Sequence, residues 1–516
     1  MAEIGIDPEK GQLTRVGSLD IEERTLSELQ IDLEEQRVTA QDLVTQYLDR
    51  IERLDRSGPR LRGVVEINPD ALAIAQQLDR ERMSKGSRGP LHGIPVLIKD
   101  NIDTLDSMGT TAGSLALIGA RPPEDAFVVQ RLRAAGAIIL GKTNMTEWAN
   151  ARSLQSISGW SARGGLTRNP YALDRSASGS SSGSAVAVAA TLCAAAVGTE
   201  TDGSILSPAS VCGVVGLKPT VGLISRRGII PISHSLDTPG PMARTVRDCA
   251  LLLGALTGAD ALDPAMRGSA MHTLHDYSSA LDSNALKSAR LGVVRQFSGF
   301  HDGVEQIYLR ALTALQNAGA VLIDPVTLPD LAKLRTAKRT VLLYEMKAGL
   351  NAYLQRMGHD APVQSLADVI AFNLRNSATE MPYFNQDIFL TAQAKGPLSD
   401  EEYREALATC RRVAGTDGIE RVLRDNRLDA LIAPTGGPAW CTDLVLGDHA
   451  VGGSSAPAAA AGTPSISVPA GNVHGLPVGL SFFADAWSEM KLLSLGYAFE
   501  QVTRARQPPR YLPSLA

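Results

Sequence analysis

Apolar and polar positions run along this chain in two rhythms. Between residues 25 and 85 the apolar positions fall at helical spacing. Leu43, Tyr47, Leu48, Ile51 and Leu54 follow a Thr39-Ala40-Gln41-Asp42 start that resembles a capping box. Residues 93–98, "GIPVLI", break that rhythm. A short apolar run bounded by glycine and a polar cluster suits a strand buried on both faces, here ending at Lys99 and Asp100. Residues 126–135 read as a helix and 137–140 as the strand after it. The apolar run 185–197, "AVAVAATLCAAAV", reads as a buried helix. The alternation continues to about residue 260, and 260–300 are more polar and irregular. A strand restarts at 291–294, a helix is expected over 301–319, and 330–425 read as mostly helical. Strands return at 428–433, 465–468 and 479–483, before a last helix over 486–503. This pattern predicts an α/β fold: one large domain with a central mixed or parallel β-sheet covered by helices on both faces, a mixed sheet being the expectation carried forward. Residues 1–85 are expected to form a helical segment packed on the core. Residues 86–516 are expected to form the core itself, with the helical insertion 330–425 shaping a substrate cleft.

Composition narrows the function classes. Of 516 residues 44% are hydrophobic, and 50 basic side chains nearly balance 55 acidic ones. That balance gives no basic field for nucleic acid. The longest small-apolar run is too short for a membrane span, which needs about 20 residues. The N-terminus lacks the apolar stretch of a signal peptide. A cytoplasmic location follows as the expectation, with a periplasmic origin open if a signal has been removed. The five cysteines are scattered and form no Cys-x-x-Cys pair, so they read as reduced structural thiols. The eight histidines show no ligand spacing, and no metal or cofactor is expected.

Two serine-rich stretches carry the candidate chemistry, "SGSSSGSA" at 178–185 and "GTETDGSILSPAS" at 198–210. A serine hydroxyl needs a base before it attacks a carbonyl. Gly179 to Gly183 match G-x-S-x-G, but the preceding "RNPYALDRSA" is a poor strand for a nucleophile elbow, and His234, His272 and His275 stand in no telling context. Lys99 is the other candidate base. Burial at a strand end disfavours the charged form, and a neutral amine accepts a proton. The competing reading is a lysine paired with Asp100 or Asp103.

The motifs then fall into one order. "GIPVLIKDNI", "SGSSSGSA", "GTETDGSILSPA", "GVVGLKPT", "DTPGPMAR", "LIAPT" and "AGTPSISVPAG" with "GLPVGLSFF" resemble the amidase signature family over residues 25–505. "GKTNMTEWANARS" and "GWSARGGLTRNPY" are similar to its bacterial peptide amidase branch. The resemblance implies a Ser-cisSer-Lys triad: Ser204 as nucleophile, Ser180 as bridge and Lys99 as base, with a cis peptide at Gly179–Ser180. It implies an oxyanion hole from the backbone N–H groups of Thr201, Asp202, Gly203 and Ser204, with Ser181 in support. The chain departs from the common Asp-Thr-Gly-Gly-Ser-Ile-Arg pattern: Glu200 replaces the aspartate, Asp202 a glycine and Leu206 the arginine. An acid–arginine support beneath the loop is therefore in doubt. Asp202 either favours neutral or amino-bearing substrates or caps a local turn. Trp148, Trp160 and Tyr344 read either as pocket lining or as core.

The implied activity is hydrolysis of carboxamides, foremost C-terminal amides of peptides or amino acid amides. The partner is then a small-molecule or short-peptide amide, and the chain a monomer or homodimer. Aryl or alkyl acylamides and carbamates are the rival substrates. The remaining alternatives are one subunit of an amidotransferase, or a catalytically silent scaffold.

Overall fold

The computed structural model describes residues 5–6, 13–14, 20–358 and 361–515. One sheet of eleven strands runs through the molecule. In chain order these are β1 (Val64–Ile67), β2 (Pro95–Lys99), β3 (Ile138–Thr143), β4 (Ala195–Glu200), β5 (Val215–Lys218), β6 (Thr238–Ala243), β7 (Arg290–Val293), β8 (Val321–Ile323), β9 (Ala430–Pro434), β10 (Ser465–Val473) and β11 (Leu476–Phe483). Their spatial order is β8-β7-β9-β11-β10-β5-β6-β4-β2-β3-β1. The pairs β2/β3, β2/β4, β7/β8 and β7/β9 are parallel. The middle of the sheet is antiparallel, from β9 through β11, β10, β5 and β6 to β4. The sheet is thus mixed, with parallel segments on both sides of an antiparallel centre.

Buried parallel strands read as continuous apolar runs because both faces are covered. Every residue of β2, β3 and β4 is buried. The capping box at Thr39 forms as expected and opens the helix Ala40–Arg50. Two readings change. Residues 64–67 lie inside the segment expected to be helical, yet β1 pairs with β3 at the sheet edge. Only Val64 of β1 is buried, so its two-residue rhythm is faint between strong helical neighbours. The run 185–197 also divides. Helix α1 (Ser182–Ala189) ends, Thr191 turns with φ 53°, and β4 begins at Ala195. Small apolar residues suit a buried helix and a buried strand equally, so hydrophobicity alone could not find that break.

All eight residues of α1 are buried. A Cβ added at Gly183 would lie 2.2 Å from the Gly63 carbonyl oxygen and 2.5 Å from that of Asn144. Only glycine permits so close an approach. A second short helix, α2 (Leu206–Val211), follows β4. Within the helical stretch 330–425, α3 (Leu331–Arg356) is the longest element. Among the described residues no helix is long and apolar enough to cross a membrane.

Candidate active site

The candidate residues gather where β2 and β4 end side by side. Ligand sites in sheets of this kind form outside the carboxyl ends of parallel strands. Lys99 is the last residue of β2, and Thr199 and Glu200 close β4. Ser180 lies just before α1 and Ser204 between β4 and α2. The Ser181 N–H donates to the Ser204 carbonyl over 3.1 Å, which joins the two loops. The Ser181 hydroxyl donates to the Thr199 carbonyl at 3.0 Å and accepts the Thr199 N–H at 3.2 Å. Ser181 therefore fastens the serine-rich loop to the end of β4. The Gly179–Ser180 peptide is cis. No strand leads into residues 179–183, so the hydrolase-elbow reading fails on its own requirement.

Lys99 is fully buried. Its Nζ lies 2.7 Å from Ser180 Oγ, 2.9 Å from Thr199 Oγ1 and 3.1 Å from the Thr199 carbonyl oxygen. Asn101 donates to the same Thr199 hydroxyl at 3.0 Å. Burial drives the Lys99 ammonium down to about 7, against the opposing pull of the Glu200 and Asp237 carboxylates. A neutral amine has two N–H bonds and one lone pair. Thr199 can take the two N–H bonds, which leaves the lone pair for the Ser180 O–H. The alternative partners Asp100 and Asp103 are occupied elsewhere: Asp100 pairs with Arg163 at 2.8 Å, and Asp103 with Arg356 at 3.0 Å. Among the described residues the Ser204 hydroxyl makes no side-chain hydrogen bond, and Ser204 is 7% exposed.

Three carboxylates hold the loop from 200 to 206. Glu200 is buried, and its Oε2 accepts the Ile205 N–H at 2.7 Å and the Leu206 N–H at 3.0 Å. The Gly203 N–H also faces this carboxylate. Burial raises the Glu200 pKa, while the Lys218 charge and these N–H groups oppose the rise. Leu206 is itself buried, so the acid–arginine support is absent. Glu200 replaces it by binding the loop's own backbone, with the buried Lys218 as nearby charge. Asp237 accepts the Thr201 hydroxyl at 2.6 Å and the N–H groups of Ile232 and Ser233 at 2.8 Å each. Asp202 pairs with Lys338 of α3 and accepts the Ser455 hydroxyl at 2.7 Å. Among the described residues the Asp202 carboxylate accepts no N–H of its own loop, so it does not cap a local turn. Among the described residues the N–H groups of Thr201, Asp202 and Ser204 carry no hydrogen bond.

A cavity of about 240 Å³ opens beside this loop. Asn101, Thr199 and Thr201 line it together with the apolar stretch 229–232, and the half-exposed His234 lines it too. Trp148 is buried and faces a smaller cavity that shares Asn101 and Ile230. Trp160 packs edge-on against Phe384, and Tyr344 packs against Tyr403, so both belong to the core. Thr199, Asn101, Asp237, Lys338 and Ser455 escaped the sequence reading. Thr199 could have been found as the hydroxyl-bearing residue near the end of the otherwise apolar run 195–198. Lys338 and Ser455 carry no sequence signal, because only the fold brings them to Asp202.

Known proteins bear on this arrangement. The amidase family profile matches residues 42–493. A peptide amidase crystallised with the competitive inhibitor chymostatin superposes with a TM-score of 0.92 at 52% identity, covering 95% of this chain and 99% of that one. The native peptide amidase of Stenotrophomonas maltophilia gives 0.90 at 51% identity, with coverage of 95% and 99%. A probable amidase of Arabidopsis thaliana is 41% identical over 97% of this chain and 94% of its own length. One subunit of the glutamyl-tRNA(Gln) amidotransferase of Halorhodospira halophila is 35% identical over 93% of this chain and 97% of its own.

Proposed function

The chain belongs to the amidase family and is an amidase, and from that premise we propose that it hydrolyses C-terminal amides of short peptides through Ser204, Ser180 and Lys99. The observation that carries this reading is the buried Lys99 Nζ, 2.7 Å from Ser180 Oγ, in a loop hydrogen-bonded to that of Ser204. Lys99 takes the Ser180 proton as Ser180 takes that of Ser204. The freed Ser204 oxygen bonds to the amide carbon, and the carbonyl electrons move onto oxygen. Backbone N–H groups of Thr201, Asp202 and Ser204 receive that oxyanion, while Gly203 supplies the bend and turns its own N–H toward Glu200. One missing donor of this kind typically costs about 10²–10³ in rate. The C–N bond then breaks, and the proton held by Lys99 returns through Ser180 to the leaving nitrogen. Ammonia departs and leaves an ester on Ser204. Water adds to that ester by the same relay, which releases the acid and restores the serine.

The substrate class rests on the likeness to the peptide amidases and on the cavity beside Thr199 and Thr201, whose apolar walls suit an acyl-side residue. The test is a panel: an amidated dipeptide, an acyl anilide, glutamine and an aryl carbamate, with ammonia or amine release measured for the parent and for Ser204→Ala. Turnover of the amidated dipeptide alone, lost in Ser204→Ala by about four orders of magnitude or more, is expected. Release from the anilide or carbamate but not from the peptide amide overturns the substrate. Unchanged turnover by Ser204→Ala overturns the nucleophile.

A further inference from the structure

We infer that Asp202 is a positioning residue: its pairing with Lys338 and Ser455 lets α3 set the direction of the Asp202 N–H, one of the groups proposed above to hold the oxyanion, a reading on which this inference rests. Asp202 sits in the middle of that loop. The peptide plane before it carries the Asp202 N–H, and the plane after it carries that of Gly203. Gly203 has φ 79°, a left-handed conformation that glycine enters and leaves easily. A loop with such a pivot needs an anchor on its near side, or the flanking planes can rotate. Side-chain bonds to Lys338 and Ser455 fix the Cα–Cβ direction of residue 202 and so restrict the plane that carries the Asp202 N–H, while Glu200 holds the Gly203 N–H of the plane after it. Lys338 is 14% and Asp202 29% exposed, so water screens this pair only in part.

The same helix reaches the neighbouring residue by a second route. Glu345 lies two turns beyond Lys338 on α3, on the same side. Its buried carboxylate accepts the Ser235 N–H at 3.0 Å and the Ser235 hydroxyl at 2.6 Å, and it also takes the Ser233 hydroxyl. The Ser233 N–H in turn donates to Asp237, which receives the Thr201 hydroxyl. One helix of the insertion thus grips residue 202 directly and residue 201 through a relay. The Asp202 carboxylate acts on the loop and not on the substrate.

Asp202→Asn, Lys338→Met, Lys338→Arg and the Asp202→Asn/Lys338→Met double variant test this, with Ser204→Ala beside them. The readouts are kcat and KM on an amidated dipeptide, the Ki of a peptide aldehyde and the melting temperature. The aldehyde forms a tetrahedral adduct on serine whose oxygen needs the same donors. A fall in kcat of about tenfold or more is expected in Asp202→Asn and in Lys338→Met, with KM within twofold. The aldehyde Ki should weaken in parallel, the double variant should be no worse than either single one, and Lys338→Arg should keep most of the rate. An unchanged kcat in Asp202→Asn, alongside an inactive Ser204→Ala, overturns this inference alone. So does a rise in KM with kcat preserved, which would give the carboxylate to the substrate. Additive losses in the double variant overturn the pairing. Full turnover by Ser204→Ala overturns the underlying reading and this inference with it.

Discussion

Two regions meet at the site, and they are held together by opposite means. On the sheet side, β2, β4 and α1 present Lys99, Ser180 and Ser204 through small residues and close backbone contact. A Cβ at Gly183 would strike backbone, and one at Gly198 would lie 2.8 Å from Ser181 Oγ. On the other side, α3 approaches with long side chains. Lys338 reaches Asp202, Glu345 reaches Ser233 and Ser235, and Tyr353 and Arg356 both reach Asp103. Backbone contact at that distance admits no added atom, whereas a charged side chain can re-aim when its partner shifts. The groups proposed to react therefore sit on the rigid side, and the adjustable side adjoins the loop and the cavity wall.

Substitutions can break that contrast or sharpen it. The largest effect is expected from Lys99→Met, which should lower kcat by about 10²–10⁴-fold. Parent activity should fall as pH drops below about 7, because protonated Lys99 cannot take the Ser180 proton, and the variant should lose that limb. The same shift also acts on stability. The folded value of about 7 lies below the ordinary 10.5, so between them the unfolded chain holds a proton that the folded chain lacks. The burial cost is present in full below about 7 and gone above 10.5, so stability rises with pH across that window. The methionine variant should therefore melt higher than the parent at about pH 7, with the gap closing toward pH 10.5. A lower melting point there would show that Lys99 stabilises the fold.

Gly183→Ala comes next. The added methyl meets the Gly63 and Asn144 backbone, so denaturant unfolding should register a loss of roughly 1–3 kcal/mol, with a lower kcat as the turn before α1 shifts. An unaffected variant would remove the rigid half of the contrast. Glu345→Gln is expected to act more mildly on turnover, leaving kcat near the parent's and raising KM a few-fold as residues 233–235 loosen beside the cavity, with a comparable stability loss of roughly 1.5–3 kcal/mol. Tyr353→Phe is the smallest. It removes one 2.7 Å bond to Asp103 and should cost about 0.5–1.5 kcal/mol with kcat unchanged. A kcat loss there as large as at Gly183 would erase the distinction between the two sides.

The same division governs what could be read from the amino-acid order. Lys99, Ser180 and Ser204 stand in short motifs whose order resembles the amidase signature family, and that resemblance implied their meeting, which spacing alone left open. The turn inside 185–197 was not legible, because alanine and valine satisfy both a buried helix and a buried strand. Strand β1 was hidden for the opposite reason, since three of its four residues are only half-buried. Glu200 and Leu206 signalled a change beneath the loop but not its form, which depends on backbone N–H groups that no side-chain pattern encodes. Asp202 was visible as an oddity, yet its meaning lies with Lys338 and Ser455, far along the chain and joined to it only by folding.

The parallel pairing of β2 with β4 has a further consequence. Val96 faces Ala195 across that ladder, and nearly a hundred residues of chain lie between them. Lys99 and Ser180 come within reach only after that long loop has closed, a slow entropic step compared with forming local helices. No fragment that lacks β4 can hold the pair in place, and a collapsed chain with its helices already formed would still have an uncoupled lysine. Recovery of hydrolysis during refolding is thus a clock for long-range strand registry, and it should lag behind the return of helical signal in the same sample.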